Sequence, residues 1–320
     1  MLLGRVAAGI NNIYTLLTTD GEDKNREREV SCRIKGKKLK GDPGRYNPIA
    51  VGDWVEFEDD LQHQGSGMIV SRQERKNVFA RLNRKRGTMQ TIAANMDLLV
   101  CLTSPESPPF RPRFIDRVLV AAAIGDMPVM VLVNKMDQHV DNAMRERLDV
   151  YSSIGCQVRY CSAATGEGVA EFIACIRGKD TAFVGQSGVG KSTLLNRIVP
   201  GADLAVGEIT KKYNRGSHTT CFALMLKADF PGRLVDTPGI REIDIAGILP
   251  LDLGHYFPEF VPFLGDCAFS PCYHDHEPRC AVRDAVDDGR IHADRFESYL
   301  RILEQLRNNA PGYVKERRKN

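Results

Sequence analysis

One stretch constrains this chain more than any other. The apolar run Thr181-Ala-Phe-Val184 leads directly into Gly185-Gln-Ser-Gly-Val-Gly190-Lys191-Ser192, and a helix-forming run, Thr193 to Ile198, comes next. Strand, glycine-rich loop and helix in that order form a phosphate-binding loop. The glycines let the backbone curl so that amides from Gly185, Gln186, Ser187, Gly188, Val189 and Gly190, and the helix start at Thr193, point at phosphate oxygens. Lys191 adds charge at the β and γ positions, and Ser192 is the hydroxyl that ligates Mg²⁺.

A phosphate loop does not choose the base. Asn134-Lys-Met-Asp137 does, because it directly follows the apolar strand Val129 to Val133. The Asp137 carboxylate can accept both N1–H and N2–H of guanine, and leaving it unpaired against adenine is costly. Asn134 ties this loop to the phosphate loop, and the stem of Lys135 packs on the base. Cys161-Ser162-Ala163 fits the remaining guanine contact, a backbone amide near Ser162 or Ala163 meeting O6. Val235-Asp-Thr-Pro-Gly239 supplies Asp236, which holds Mg²⁺ through water, and the Gly239 amide for the γ-phosphate. Between them, in Arg215-Gly-Ser-His-Thr-Thr220, either Thr219 or Thr220 closes over Mg²⁺; the alternative is a mobile polar loop.

These elements run base, base, phosphate loop, switch, Mg²⁺ element, whereas ordinary GTPases place the phosphate loop first. A site is a geometry in space, so a chain cut and rejoined can keep it. The sequence therefore implies a circularly permuted, doubly wound α/β domain.

Around that domain, 320 residues leave room for two or three domains. With 42% hydrophobic and 27% charged residues the chain reads as soluble. No apolar run approaches the ~20 residues a membrane helix needs, and the first ten residues lack the order of a signal peptide, so the expectation is cytoplasmic with no membrane partner. Net charge is only +3, but residues 1–86 carry 17 Lys and Arg against 12 Asp and Glu. A polyanion would therefore favour the front of the chain.

Residues 1–80 read as five short alternating strands, at Arg5–Ile10, Ile13–Leu17, Val30–Ile34, Asp53–Phe57 and Gly67–Ser71, forming a small barrel of the OB type. Lys35 to Lys40 is a basic loop, either a solvated surface or an RNA contact. Arg81 to Arg86 reads as a linker and Trp54, the only tryptophan, as core. Residues 81–245 alternate apolar strands with helices such as Phe114–Ile124 and Ala143–Ile154, a parallel sheet covered on both faces. Residues 246–320 hold a cysteine and histidine cluster, then a charged helix from Asp294 to Leu306. Of nine cysteines, Cys32, Cys101, Cys156, Cys161, Cys175 and Cys221 stand singly and read as small buried apolar groups.

The other three lie in Cys267-Ala-Phe-Ser-Pro-Cys272-Tyr-His274-Asp-His-Glu-Pro-Arg-Cys280. Three thiolates and one imidazole make a closed, tetrahedral, structural zinc set. The spacing leaves His276 as a rival to His274.

The permuted order, Arg-Gly-Ser-His-Thr-Thr in the switch, Asp252-Leu-Gly-His-Tyr-Phe-Pro-Glu-Phe260 and this Cys/His spacing together resemble the small ribosomal subunit biogenesis GTPases of the RsgA (YjeQ/EngC) family, over essentially the whole chain. The resemblance implies an OB-fold, a permuted GTPase domain and a zinc-binding domain, with one zinc on Cys267, Cys272, His274 and Cys280. It implies binding to the small subunit and its rRNA late in assembly, and GTP hydrolysis that is slow alone and faster on the subunit. Ile240 stands where a Ras-like enzyme has its water-orienting glutamine. The family pattern offers His218 in that role; a bystander histidine is the alternative. A monomer suffices. Two rival readings are an RNA-binding assembly factor with GTP as a structural ligand, and an ATP-dependent enzyme in which Asn134 to Asp137 is accidental.

Overall fold

The computed structural model describes residues 1–10, 12–19, 27–36, 39, 48–60, 63, 65–84, 87–204 and 223–309. Five strands open the chain: β1 (Leu2–Ile10), β2 (Ile13–Thr19), β3 (Glu27–Ile34), β4 (Trp54–Asp59) and β5 (Ser66–Arg72). They pair in the order β1-β2-β3-β5-β4, and β4 returns to β1, so the barrel closes and each of these five strands is paired on both sides. β3 with β5 is the parallel pair. Alternate residues point inward, and Leu16, Val30, Val55, Phe57 and Ile69 are fully buried.

That alternation corrects the expectation for Trp54. Val55 and Phe57 take the two inward positions of β4, so Trp54 faces out, 38% exposed, with the Arg5 guanidinium 5.5 Å from its ring centre. The linker expectation is also corrected. Residues 81–83 belong to β6 (Val78–Asn83), which pairs antiparallel with β7 (Thr88–Ala94). Phe79, Ile92 and Ala93 of this hairpin pack into the core of the following domain. Its arginines hid the strand, because a polar ribbon with one apolar face at its base shows no clean alternation.

The central sheet comprises β8 (Leu98–Thr103), β9 (Val129–Val133), β10 (Gln157–Tyr160), β11 (Thr181–Gly185), β12 (Leu224–Lys227) and β13 (Arg233–Asp236), in the order β10-β9-β8-β11-β13-β12. All neighbours are parallel except β12 with β13. Period-two alternation splits each strand between two cores. Leu99, Cys101, Val131 and Val184 face one, and Val100, Leu102, Leu132 and Phe183 the other. Helices α1 (Pro112–Ile124) and α2 (Asn142–Ser153) contribute to the first core, α3 (Val169–Ile176) and α4 (Lys191–Ile198) to the second. Ala8 of β1 pairs with Leu224 of β12, joining barrel and central sheet.

The C-terminal region holds a 3-10 turn (Pro250–Tyr256), α5 (Ala281–Asp287) and α6 (Ala293–Asn309). Phe257, Phe260 and Tyr299 form an aromatic cluster with ring centres 4.8–5.3 Å apart, continuous with the first core. Of the single cysteines, Cys32, Cys101 and Cys161 are buried as expected, Cys156 and Cys175 are half-buried, and Cys221 lies outside the described residues. Among the described residues, no helix is long and apolar enough to cross a membrane.

Candidate nucleotide site and metal centre

The phosphate loop turns between β11 and α4, with Gly188 and Gly190 at φ 86° and 90°. At Gly190 the reason for glycine is double: the backbone is left-handed, and an added Cβ would stand 2.4 Å from Asn134 Nδ2. That close approach brings two loops together. Asn134 Nδ2 donates to the Val189 carbonyl at 2.8 Å, while its Oδ1 accepts from the Ala163 amide at 2.9 Å. One buried carboxamide thus joins the loops after β9, β10 and β11, three segments well separated in sequence.

The neighbouring residues complete the join. Lys135 Nζ donates to the Gly188 carbonyl at 2.8 Å and to Ser107 O at 2.5 Å. The Ser162 hydroxyl donates to Asp137 Oδ1 at 2.5 Å, and this bond is the main reason the Asp137 carboxyl stays below the usual carboxylate range. Arg197, on α4, clamps the same loop from behind, donating to Ala163 O at 2.7 Å and Ala164 O at 3.0 Å. The Ser162 amide donates to Glu167 O and the Ala163 amide to Asn134, so both are engaged within the protein.

The phosphate loop and the Asp236–Gly239 turn follow β11 and β13, which are parallel neighbours. Lys191 Nζ is ion-paired with Asp236 Oδ1. The buried Thr237 hydroxyl donates to Phe183 O at 2.5 Å, and Ile240 N donates to Gly185 O at 3.2 Å, so the Asp236–Gly239 turn is stitched to the start of the phosphate loop. A Cβ at Gly239 would stand 3.5 Å from Ser187 N. Ser192 and Asp236 offer the hard oxygen donors that Mg²⁺ requires. His218, Thr219 and Thr220 lie outside the described residues.

The junction between this turn and the C-terminal region leaves no mark in the sequence. Ile240, Ile243 and Ile245 are buried in one core with Leu253, Phe257 and Tyr299. Asp116 on α1, wholly buried, accepts from Arg147 at 2.7 Å, Arg295 at 2.8 Å, Tyr151 at 2.9 Å and Ser298 at 2.5 Å. Arg295 also pairs with Glu259, at 2.6 and 3.1 Å. Asp116 and Arg295 are 179 residues apart, and no local pattern signals their meeting.

In the C-terminal region Cys267 Sγ and Cys272 Sγ lie 3.9 and 3.8 Å from Cys280 Sγ, and His274 Nδ1 lies 3.5 and 3.4 Å from Cys267 and Cys280. A tetrahedron with sulfurs about 2.3 Å from its centre has S–S edges of about 3.8 Å, so these four atoms already stand where one metal ion would place them. The four residues can therefore hold one ion. His276 stands apart from the set: its side chain is 78% exposed and paired with Asp275. Burial pushes the Cys272 thiol up to about 12, a cost that a bound cation reverses by stabilising thiolate.

A parallel P-loop sheet, with its asparagine-lysine-aspartate element upstream of the phosphate loop in sequence but against it in space, defines the class: a circularly permuted GTPase. The model of the RsgA GTPase family matches residues 72–246. The chain is 39% identical, over 95% of its length and 98% of the other, to the small ribosomal subunit biogenesis GTPase RsgA of Chlorobaculum parvum. Its fold is similar to YjeQ from Thermotoga maritima, with TM-score 0.72 and 32% identity over 95% of this chain and 98% of that one. YloQ, a circularly permuted GTPase, gives TM-score 0.67 and 27% identity over 98% and 97%. The chain belongs to the RsgA GTPase family and is a GTP hydrolase.

Proposed function

We propose that this GTPase binds the small ribosomal subunit late in its assembly, that the subunit and its rRNA raise its turnover, and that hydrolysis is coupled to release. The observation that carries the reading is the Asn134 carboxamide, which links base loop and phosphate loop in one site. Asp137 reads the guanine N1–H and N2–H, the stem of Lys135 covers the base, and the loop of Ser162 and Ala163 closes on O6. Amides from Gly185 to Gly190 and the α4 N-terminus at Thr193 cradle the phosphates. Lys191 leaves Asp236 for the β- and γ-oxygens, Ser192 and, through water, Asp236 hold Mg²⁺, and the Gly239 amide meets the γ-phosphate. Mg²⁺ held by Ser192 and Asp236 would supply neutralisation of the charge that develops during phosphoryl transfer.

The ion held by Cys267, Cys272, His274 and Cys280 is proposed to be zinc, one per chain and structural, since the set is closed with no open position. Three units divided near residues 80 and 245 act together, the barrel and the C-terminal unit gripping rRNA. Because Ile240, Ile243 and Ile245 belong to the same core as Phe257 and Tyr299, ordering or release of the Asp236–Gly239 turn moves the C-terminal unit. Ile240 is buried, so the attacking water is oriented from elsewhere. His218 is the proposed group, with Thr219 or Thr220 closing on Mg²⁺. The protein works as a cytoplasmic monomer.

The test is GTP hydrolysis by the purified protein alone, with small subunits and with large subunits. Stimulation by small subunits only is expected; equal rates in all three would refute the reading.

A further inference from the structure

Beside the phosphate loop, between the start of α1, the segment after Gly239 and the start of α6, lies a cavity of about 590 Å³. Its size is that of a small-ligand site. Six guanidinium groups line it, from Arg84, Arg111, Arg113, Arg117, Arg147 and Arg241, against three carboxylates, Glu242, Asp244 and Asp294. Several of those cations are already engaged: Arg84 pairs with Asp244 and Arg113 with Glu297, while Arg117 donates to the Ile243 carbonyl and to Gln305. Arg111 and Arg241 are exposed and have no ion pair among the described residues.

Two further features point to an anion. α1 starts in this cavity with no side chain capping it among the described residues; Pro112 brings no N–H and the Phe114 amide donates to Arg111 O, so what the 13-residue helix presents there is the positive end of its dipole. Arg147, only 3% exposed in its side chain, uses Nη2 on Asp116, and its buried Nε and Nη1 have no hydrogen-bond partner among the described residues. A buried guanidinium with two unmet donors is costly unless a ligand or its neighbours satisfy it.

We propose that this cavity binds a phosphate-bearing ligand at a site separate from the nucleotide's. Several guanidinium groups and a helix N-terminus suit the three or more charged oxygens of a tetrahedral phosphate, which carries more charge than a single carboxylate, and do not suit an apolar molecule. The wall is shared with the catalytic machinery, since Gln186 of the phosphate loop and Arg241 to Asp244, directly after the Asp236–Gly239 turn, both line it. A phosphate held there is therefore linked to nucleotide occupancy, and each changes the other's affinity by the same factor. The phosphate can come from an RNA backbone or from a free nucleotide-sized metabolite. Only RNA as the source rests on the proposed ribosomal function.

The experiment loads the full-length protein with Mg²⁺ and a non-hydrolysable GTP analogue, so that the phosphate loop is filled, and titrates in inorganic pyrophosphate or a short single-stranded RNA by calorimetry. The comparison is an Arg111→Ala/Arg241→Ala variant, both positions exposed, with folding checked by thermal melting and analogue affinity measured in parallel. Losing two charge-assisted contacts should weaken pyrophosphate binding by at least about tenfold while analogue affinity holds. An equal loss for the RNA assigns the phosphate to RNA; a loss for pyrophosphate alone assigns it to a free metabolite. No measurable pyrophosphate binding, or the same affinity in variant and wild type, overturns the site. Absence of GTP turnover, measured separately, would bear on the proposed function and not on this cavity.

Discussion

Arg295 of α6 and Asp116 of α1 form a buried ion pair at 2.8 Å, their side chains 1% and 0% exposed, across the junction between the GTPase sheet and the C-terminal region. Glu259, Ser298, Tyr151 and Arg147 complete the cluster, so that two helices of the central domain and one of the last region share a single carboxylate. The pair fixes how the element downstream of Gly239 is held against the nucleotide domain.

Removing one partner strands the other. Asp116→Ala should cost about 3–5 kcal/mol, because Arg147 loses its buried carboxylate partner and Arg295 keeps only Glu259. Urea unfolding followed by circular dichroism measures this; a loss under about 1 kcal/mol would show that water reaches the cluster.

Base choice is proposed to rest on the Asp137 carboxylate. Asp137→Asn should shift preference from guanosine to xanthosine nucleotides, read by competition between GDP and XDP. The Ser162 hydrogen bond holds the Asp137 pKa below its ordinary value, so the charged form persists as pH falls. Once the protonation of GDP's own terminal phosphate is subtracted, GDP affinity should show no step from Asp137 above the ordinary carboxylate value of about 4. A midpoint above that value would contradict the Ser162–Asp137 bond.

Metal content separates the two histidines. Mass spectrometry of the intact protein should find one equivalent of zinc, lost in His274→Ala and Cys272→Ser and kept in His276→Ala. Chelation should lower thermal stability, since binding energy of the ion is folding energy at such a site. Retention of metal by His274→Ala would move the fourth ligand to another residue.

Ile240→Gln would not create a Ras-like enzyme. The side chain is 2% exposed and belongs to the core with Ile243 and Phe257, so an amide there is buried rather than aimed at water. The expected result is a loss of about 1–3 kcal/mol in stability with no gain in basal turnover. A turnover increase of tenfold or more would place position 240 at the γ-phosphate.

Lys191→Ala should reduce turnover by about 10²-fold or more, as removal of a preorganised cation or donor from developing charge does elsewhere. Single-turnover hydrolysis at saturating GTP reads it. Unchanged rates would detach the Lys191–Asp236 ion pair from catalysis.

Much of this was legible along the chain. Barrel strands, the parallel sheet, the phosphate loop, Asn134 to Asp137 and the Cys/His set all rest on periodicity or fixed spacing, which are local properties. For Trp54 residue type suggests core, whereas strand alternation puts Val55 and Phe57 inside and leaves the ring exposed. The β6–β7 hairpin is hidden in the sequence because its arginines mask the strand period. His274 and His276 are equivalent by spacing, and only the path of the backbone turns one ring toward the three thiols and the other toward solvent.

By itself, then, the amino-acid order determined which chemistries are present, because guanine recognition, phosphate cradling and thiolate ligation each need particular residue types at short intervals. Tertiary structure alone decided which distant segments meet. Asn134 touching Val189, Asp116 gathering Arg147 and Arg295, and six arginines facing one cavity are contacts between elements tens to hundreds of residues apart. Their pairing follows from how the sheet and its helices pack, and packing of that range leaves no periodic trace in a sequence.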